Sequence, residues 1–470
     1  MPFLSFPFLG SFALLLALYW SVPKRQWQNG VLLVGCLGFL STWGWLSVAL
    51  LLVSTAGEWL LAIWLERQTA KPKRLAILWT SIVLNVGTIA LFKYACLLRL
   101  IQPILMPGRT DSPSLHLLAP IGVSFWVLQK MSLTFEVYYH RRPAERNPLR
   151  CLLFASYFPT LISGPVERAR NLLPQFAAQR SIDARAVAEG FWLISIGIFQ
   201  KVVVADNVAA CADQLLGPDN RGGISVLIGI WAYAIQIFCD FAGYSDMVRG
   251  ASRLLGIDIL QNFSAPYLAQ NLSEFWKRWH VSLSTWLNEN IFNPSSMALR
   301  AWGTGSIVVA TWLTFVASGL WHGTGWTFLI WGSIHALGLT IFVLTKDWRK
   351  RFKKDHKDSA WLAPAAIAIT FHWVCLGYVF FRAPDVGYAL QQLASLFHGP
   401  WNPLRLDVDW ATLLGSIAVI SVLHRMMDSR KDVFWIFQTP PAIRVAVYLA
   451  MLLMVSRYYA SSERFLYFQF

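Results

Sequence analysis

Charged side chains are what this 470-residue sequence has least of: Asp, Glu, Lys and Arg together make up 14% of it. Soluble globular chains carry roughly 25%, so the few soluble domains that its length would allow lack the polar surface to face water. Acidic residues are the rarer sign, 25 Asp and Glu against 40 Lys and Arg, for a formal charge of +15. No soluble module gathers that excess, which argues against nucleic acid as a partner. Cysteine is sparse as well: six residues, at 36, 96, 151, 211, 239 and 375, with no CxxC pair. That pattern excludes a disulfide framework and a zinc site, so the cysteines read as small packing residues and no metal is expected. There is no GxSxG elbow, P-loop or dinucleotide fingerprint, and no repeat with a period of about 20–50 residues.

What the sequence has is apolar length: 56% hydrophobic residues and 24 Trp, with a mean hydropathy of +0.47. A membrane span needs ~20 mostly apolar residues to cross ~30 Å of hydrocarbon, and about twelve stretches qualify. They are roughly 3–22, 31–45, 46–64, 75–92, 117–139, 186–204, 223–243, 303–320, 324–344, 360–381, 410–424 and 441–456. The pattern predicts an all-α polytopic membrane protein, read as one integral-membrane domain over 1–470. Lys24 and Arg25 follow the first apolar run instead of preceding it, so that run is not read as a cleaved signal peptide. Lys24/Arg25, Arg67/Lys71/Lys73/Arg74, the Arg141-to-Arg185 cluster, Lys346 to Lys357 and Arg425/Arg430/Lys431 fall in alternate loops. The positive-inside rule places them in the cytoplasm with both termini outside, and Lys93, Arg99 and Arg109 on the opposite side. Such a face suits membrane lipid headgroups or an anionic substrate. Two cytoplasmic segments, about 151–165 and 245–295, are too apolar or aromatic for plain loops. Non-helical backbone at membrane depth must be buried or line a cavity, so both read as re-entrant or interfacial pieces beneath a buried chamber.

Within the second segment, NLSEFWKRWHVSLSTWL predicts one amphipathic helix over 271–287. Asn271 with Glu274 three residues on is a capping pattern. Leu272, Phe275, Trp276, Trp279, Leu283, Trp286 and Leu287 share one arc, with Lys277 and Arg278 on the other side and His280 at the border. Lys277 and Arg278 would face headgroups or an anionic ligand, and a plain interfacial anchor explains the helix equally well. His322 lies in Gly319-Leu320-Trp321-His322-Gly323, where two spans meet. An ionisable group there is costly, and imidazole can take and return a proton near neutrality. Gly319, Gly323 and Gly325 would permit close approach of a substrate to the backbone. A buried, hydrogen-bonded structural His is the alternative, and His335 is read as structural. Among the other charges at membrane depth, Asp240 and Asp246 bracket Phe241–Ser245, Lys201 and Asp206 sit in QKVVVADN, and Lys130 and Glu136 could pair if both face inward, although six residues is not ideal helical spacing; they read as paired structural charges, or as an ion relay if the protein were a transporter.

The blocks PIGVSFWVLQKMSLTFEVY (120–138), YFPTLISGPVERARNLLPQ (157–175), QKVVVADN (200–207), QIFCDFAGYSDM (236–247), NFSAPYLAQNLSEFWKRWHVSLSTWL (262–287), GLWHG (319–323), WGSIH (331–335), VFFRA (379–383) and RFLYFQF (464–470) occur in that order. With them the chain resembles the membrane-bound O-acyltransferases, in the bacterial branch typified by the alginate O-acetyltransferase membrane subunit. The resemblance implies a ring of about 11–12 tilted transmembrane helices enclosing a central funnel. It implies His322 as the catalytic histidine and His280 as the second family histidine. Trp276, Lys277, Arg278, Trp279, Trp321, Asp240 and Tyr244, in or beside the same blocks, are the substrate-facing candidates. No bound cofactor is expected; acetyl-CoA is the implied acyl donor, with His322 as general base or as acetyl relay. The implied partners are a periplasmic SGNH-like acetyltransferase and exopolysaccharide machinery of alginate or cellulose type, at the bacterial inner membrane. The segment from Asn288 to Ser296 departs from the alginate-type pattern and leaves the acceptor open. D-alanyl transfer to teichoic acid, peptidoglycan O-acetylation and a non-catalytic transporter or flippase stay as alternatives.

Overall fold

A computed structural model of the chain describes residues 4–93, 121–217, 222–356, 359–398, 409–430 and 432–459. Cys96, Arg99, Arg109, Pro120, Lys357, Lys431 and the C-terminal 464–470 block lie outside them. The described residues contain helices and no strand, as lipid demands of a chain whose backbone groups must bond within their own segment. Nine of these helices are long and apolar enough to cross a membrane: Trp45–Glu66, Lys71–Lys93, Ala184–Leu215, Gly223–Leu254, Thr304–His322, Trp326–Leu344, Leu362–Arg382, Trp410–Ser429 and Pro441–Tyr458. The other three of the twelve expected stretches carry shorter helices among the described residues, Phe6–Ser21, Arg25–Ser41 and Val123–Tyr138, of 16, 17 and 16 residues. At ~1.5 Å per residue these reach only about 24–26 Å. Outward faces stay apolar: Leu449, Leu452 and Leu453 on the last span are exposed, as on a surface that faces lipid. Trp45 and Trp64, 77% and 54% exposed, mark the two ends of one span, about 28 Å apart along its axis, as interfacial tryptophans do.

Residues 1–194 with 248–260 form one compact unit, and 195–247 with 261–470 another. In the first, Val123–Tyr138 is a core helix, buried at nearly every position from Val123 to Val137. Its polar groups bond inward: the Glu58 carboxylate accepts from Ser81 Oγ (2.6 Å) and Asn85 Nδ2 (2.7 Å), and from Thr134. Lys130 and Glu136 do not pair. Six residues turn a helix by about 600°, onto different faces; Glu136 meets Arg170 at 2.8 Å and Arg141 at 3.8 Å, while the Lys130 ammonium lies 5.0 Å from the Trp126 ring. The 151–165 segment is a broken helix, Pro148–Ser156 then Phe158–Leu161, wholly buried from Leu153 to Pro165.

In the second unit, Lys201 sits in a π-helical turn, Phe199–Ala205, and donates to Asp206 (2.6 Å) and Asp240 (2.7 Å). All three are buried. The segment expected to begin at 245 as re-entrant starts as the end of a 32-residue helix, Gly223–Leu254. That helix approaches the preceding one through glycines: a Cβ on Gly243 would lie 2.7 Å from the Gly197 carbonyl oxygen. Backbone cannot yield as a side chain can. Gly243→Ala is therefore expected to cost about 1–3 kcal/mol of stability and lower the melting temperature in detergent; an unchanged melting temperature would show the contact to be dispensable.

Candidate functional site

The 271–287 stretch begins as its sequence predicts, with the Asn271 side chain accepting from Glu274 N at 2.9 Å. It does not continue as one helix. Leu272–Arg278 and Val281–Leu287 are separated by Trp279 in extended conformation and by His280, which is left-handed at φ 43°, ψ 51°. That conformation costs a non-glycine residue roughly 1–2 kcal/mol. The break is held by residues upstream. Ser264 N donates to the Arg278 carbonyl (3.0 Å) and Val281 N to the Asn262 carbonyl (2.9 Å). Asn262 Oδ1 also accepts from Ser282 Oγ at 2.6 Å.

The break redistributes the candidate residues. His280 leaves the expected border position and is 1% exposed, edge-on to Phe241 at 4.7 Å and 6.3 Å from the Trp321 ring. Burial pushes its imidazole down to about 3, so it is neutral near pH 7. Trp279 packs into an aromatic core with Phe263 (5.1 Å) and Phe275 (5.6 Å). Arg278, expected to face an anionic ligand or headgroups, donates to Glu274 and Asp428, both at 2.7 Å. Lys277 stays exposed.

His322 ends the Thr304–His322 helix and is 5% exposed. Its ring is caged by Trp321 (4.8 Å), Trp331 (4.9 Å) and Phe381 (5.2 Å). Trp331 in turn meets His335 at 5.1 Å, and His335 meets Trp276 at 5.0 Å. Gly319 and Gly323, expected to admit a substrate, are occupied by Phe328: a Cβ on Gly319 would lie 2.5 Å from its carbonyl oxygen, and one on Gly323 would collide with its ring. These two glycines serve helix packing.

A cavity of about 500 Å³ opens beside the broken helix, bounded by Trp276, Lys277, Asn288 and Phe342 and by one face of Thr304–His322. That face carries Thr311, Thr314 and Ser318 in the cavity wall, and at the same helical spacing comes His322, one turn or ~6 Å beyond Ser318. All four are buried. Sequence reading missed this hydroxyl stripe, although the 3-4-4 spacing ending on His322 was there to find. Trp276 and Lys277 thus reach the cavity, while Asp240 and Tyr244 are buried on the Gly223–Leu254 helix and do not line it. Asp240 is paired with Lys201. Among the described residues no cluster of three or more His, Cys, Asp or Glu could hold a metal.

Residues 70–381 match the family model described as MBOAT, membrane-bound O-acyltransferase family. The chain is 35% identical over 318 residues to a protein named "Probable alginate O-acetylase AlgI" from Azotobacter vinelandii, covering 65% of this chain and 61% of that one. It therefore spans about three fifths of that relative's length. It is 31% identical to the peptidoglycan O-acetyltransferase of Helicobacter pylori, over 84% of this chain and 77% of that one. A teichoic acid D-alanyltransferase of Bacillus subtilis is 30% identical, over 60% of this chain and 73% of that one. The chain belongs to the membrane-bound O-acyltransferase family.

The burial of His280 has a pH signature. Its imidazole titrates near 6.5 when unfolded and near 3 when folded. As pH falls below ~6.5 the unfolded chain binds a proton that the folded one refuses, so stability drops, and the drop ends near pH 3. His280→Gln is expected to remove one proton from the slope of stability against pH between those values; an unchanged slope would contradict the buried, neutral state.

Proposed function

We propose that this membrane-bound O-acyltransferase takes an acetyl group from acetyl-CoA on the cytoplasmic side of the bacterial inner membrane and passes it to a hydroxyl presented from outside. One observation carries the reading: a cavity on the side that the basic loops assign to the cytoplasm runs up a polar stripe to within one turn of His322. A donor arm lying along Thr311, Thr314 and Ser318 has ~6 Å left to reach the imidazole. The coenzyme's phosphates stay at the mouth, where Lys277 is the exposed cation.

His322 acts as general base. It removes the proton of the attacking hydroxyl as the C–O bond forms, and the carbonyl π pair moves onto oxygen. The pair then returns, the C–S bond breaks, and the departing thiolate takes the proton from the imidazolium. The cage of Trp321, Trp331 and Phe381 keeps water from competing for the thioester. His280, neutral and edge-on to Phe241, positions the wall around Trp321 without exchanging a proton.

The acceptor in this reading is a periplasmic SGNH-like acetyltransferase that carries the acetyl group to an exopolysaccharide of alginate or cellulose type. Peptidoglycan O-acetylation is the second reading, supported by the wider coverage of the Helicobacter pylori relative, 84% of this chain. The buried charges are also accounted for as structural pairs, since Lys201 bonds both Asp206 and Asp240.

His322→Ala should lower acetyl-CoA turnover by purified protein at least ~100-fold, the usual weight of a general base, while membrane insertion is kept; normal turnover would overturn the assignment. Lys277→Gln should raise KM for acetyl-CoA roughly threefold and leave kcat alone, and the difference should shrink at high salt. Arg278→Gln should instead lower thermal stability; an equal KM effect from both would contradict the distinct roles of the two cations.

A further inference from the structure

Lys346–Asp355 is a 10-residue helix that carries Lys346, Arg349, Lys350, Arg351, Lys353 and Lys354 against Asp347 and Asp355. Among the described residues no ion pair engages these cations. At ~100° per residue Trp348, Phe352 and His356 fall on one side of the helix axis and Lys346, Lys350 and Lys354 on the opposite side. Arg351 and Lys353 lie between the two, one on each flank. The aromatic side is stacked on itself, Trp348 on Phe352 at 5.3 Å and Phe352 on His356 at 4.4 Å, yet Trp348 is 63% exposed. A helix this short is marginal on its own in water, and its aromatic stripe calls for a surface to lie on.

The chain holds this helix at the membrane surface. The span Trp326–Leu344 ends one residue before it, at Thr345, and a single residue reaches only ~3.5 Å. Arg349 fastens the junction: its Nη2 donates to the Phe342 carbonyl at 2.5 Å, and its guanidinium lies 3.6 Å from the centre of the Phe342 ring. The next span starts at Leu362, behind a Trp361 that is 56% exposed, as at a membrane interface. We propose that Lys346–Asp355 lies flat on the cytoplasmic leaflet and binds anionic phospholipid in preference to zwitterionic. Trp348 and Phe352 enter the boundary between headgroups and acyl chains, and Arg351 and Lys353, flanking them, reach the lipid phosphates. Lys346, Lys350 and Lys354 face the cytosol about one helix diameter away, ~10 Å, which is comparable with the Debye length, so they add a weaker attraction. This surface is separate from the cavity beside His322, and its occupant does not depend on the acyl-transfer reading.

The test is hydrogen exchange, read by mass spectrometry across residues 347–355 of the full-length protein, in nanodiscs of phosphatidylcholine alone and of phosphatidylcholine with phosphatidylglycerol. For wild type, exchange should be about tenfold slower in the anionic discs, and high salt should remove most of that difference. The double variant Arg351→Gln/Lys353→Gln should lose most of the anionic preference, and the triple variant Lys346→Gln/Lys350→Gln/Lys354→Gln should lose less of it. Trp348→Ala should speed exchange in both kinds of disc alike. Each variant keeps its place in the fold if exchange in the neighbouring spans is unchanged. Equal exchange of wild type in the two lipids would overturn the proposal. A larger loss from the triple variant than from the double one would overturn the orientation, because the lysine side would then be the one that meets the lipid.

Discussion

A bilayer offers no hydrogen-bonding partner to a broken helix, so the interruption at Trp279 and His280 exists because residues 262–264 supply one. The carbonyl of Arg278 and the amide of Val281, which a continuous helix would have bonded internally, are taken by Ser264 and Asn262. The placement of Trp279 and His280 follows from this bond pair. The left-handed turn swings His280 from the interface into the core. Trp279 turns under it into an aromatic cluster, and Trp276 and Lys277 are left on the wall of a cavity. An unbroken helix would have kept all four on its own surface.

The second constraint is periodicity. A span among lipids has little reason to carry hydroxyls, yet Thr304–His322 places Thr311, Thr314 and Ser318 on the face that ends at His322. Small residues on the remaining contact surface let the next helix close in: Gly319 accommodates the Phe328 carbonyl and Gly332 the Phe315 carbonyl. The tight hairpin brings Trp331 and His335 against His322 and Trp276. The aromatic cage around His322 at the end of this hydroxyl track is the setting on which the proposed acyl transfer rests.

Much of this was legible in the sequence, because much of it is local. Apolar runs marked the helices, Asn271 marked a helix start, and the Gly-Leu-Trp-His-Gly turn marked His322. What could not be read depends on distant partners. Asn262 acts on a residue 20 positions away, and Asp428 neutralises Arg278 across 150; neither has a periodic signal. The helix break itself was hidden because 271–287 has an unbroken amphipathic pattern, and tertiary bonds overrode it. Lys130 and Glu136 do not pair, and their six-residue spacing, unfavourable on a helix, already carried that signal. The stripe of Thr311, Thr314 and Ser318 was missed although it is local, because small hydroxyls in an apolar span do not stand out until the cavity beside them is seen.

The most direct test of the account is a structure of the protein with a non-transferable donor, the coenzyme A thioether in which a methyl ketone replaces the acetyl thioester. The predicted result places the ketone beside the His322 imidazole, with the cysteamine arm along Thr311, Thr314 and Ser318 and the phosphates at the mouth near Lys277. A donor bound elsewhere on the chain, or an arm that leaves the 304–322 face empty, would contradict the assignment of this cavity and of His322 as the place where the acetyl group changes hands.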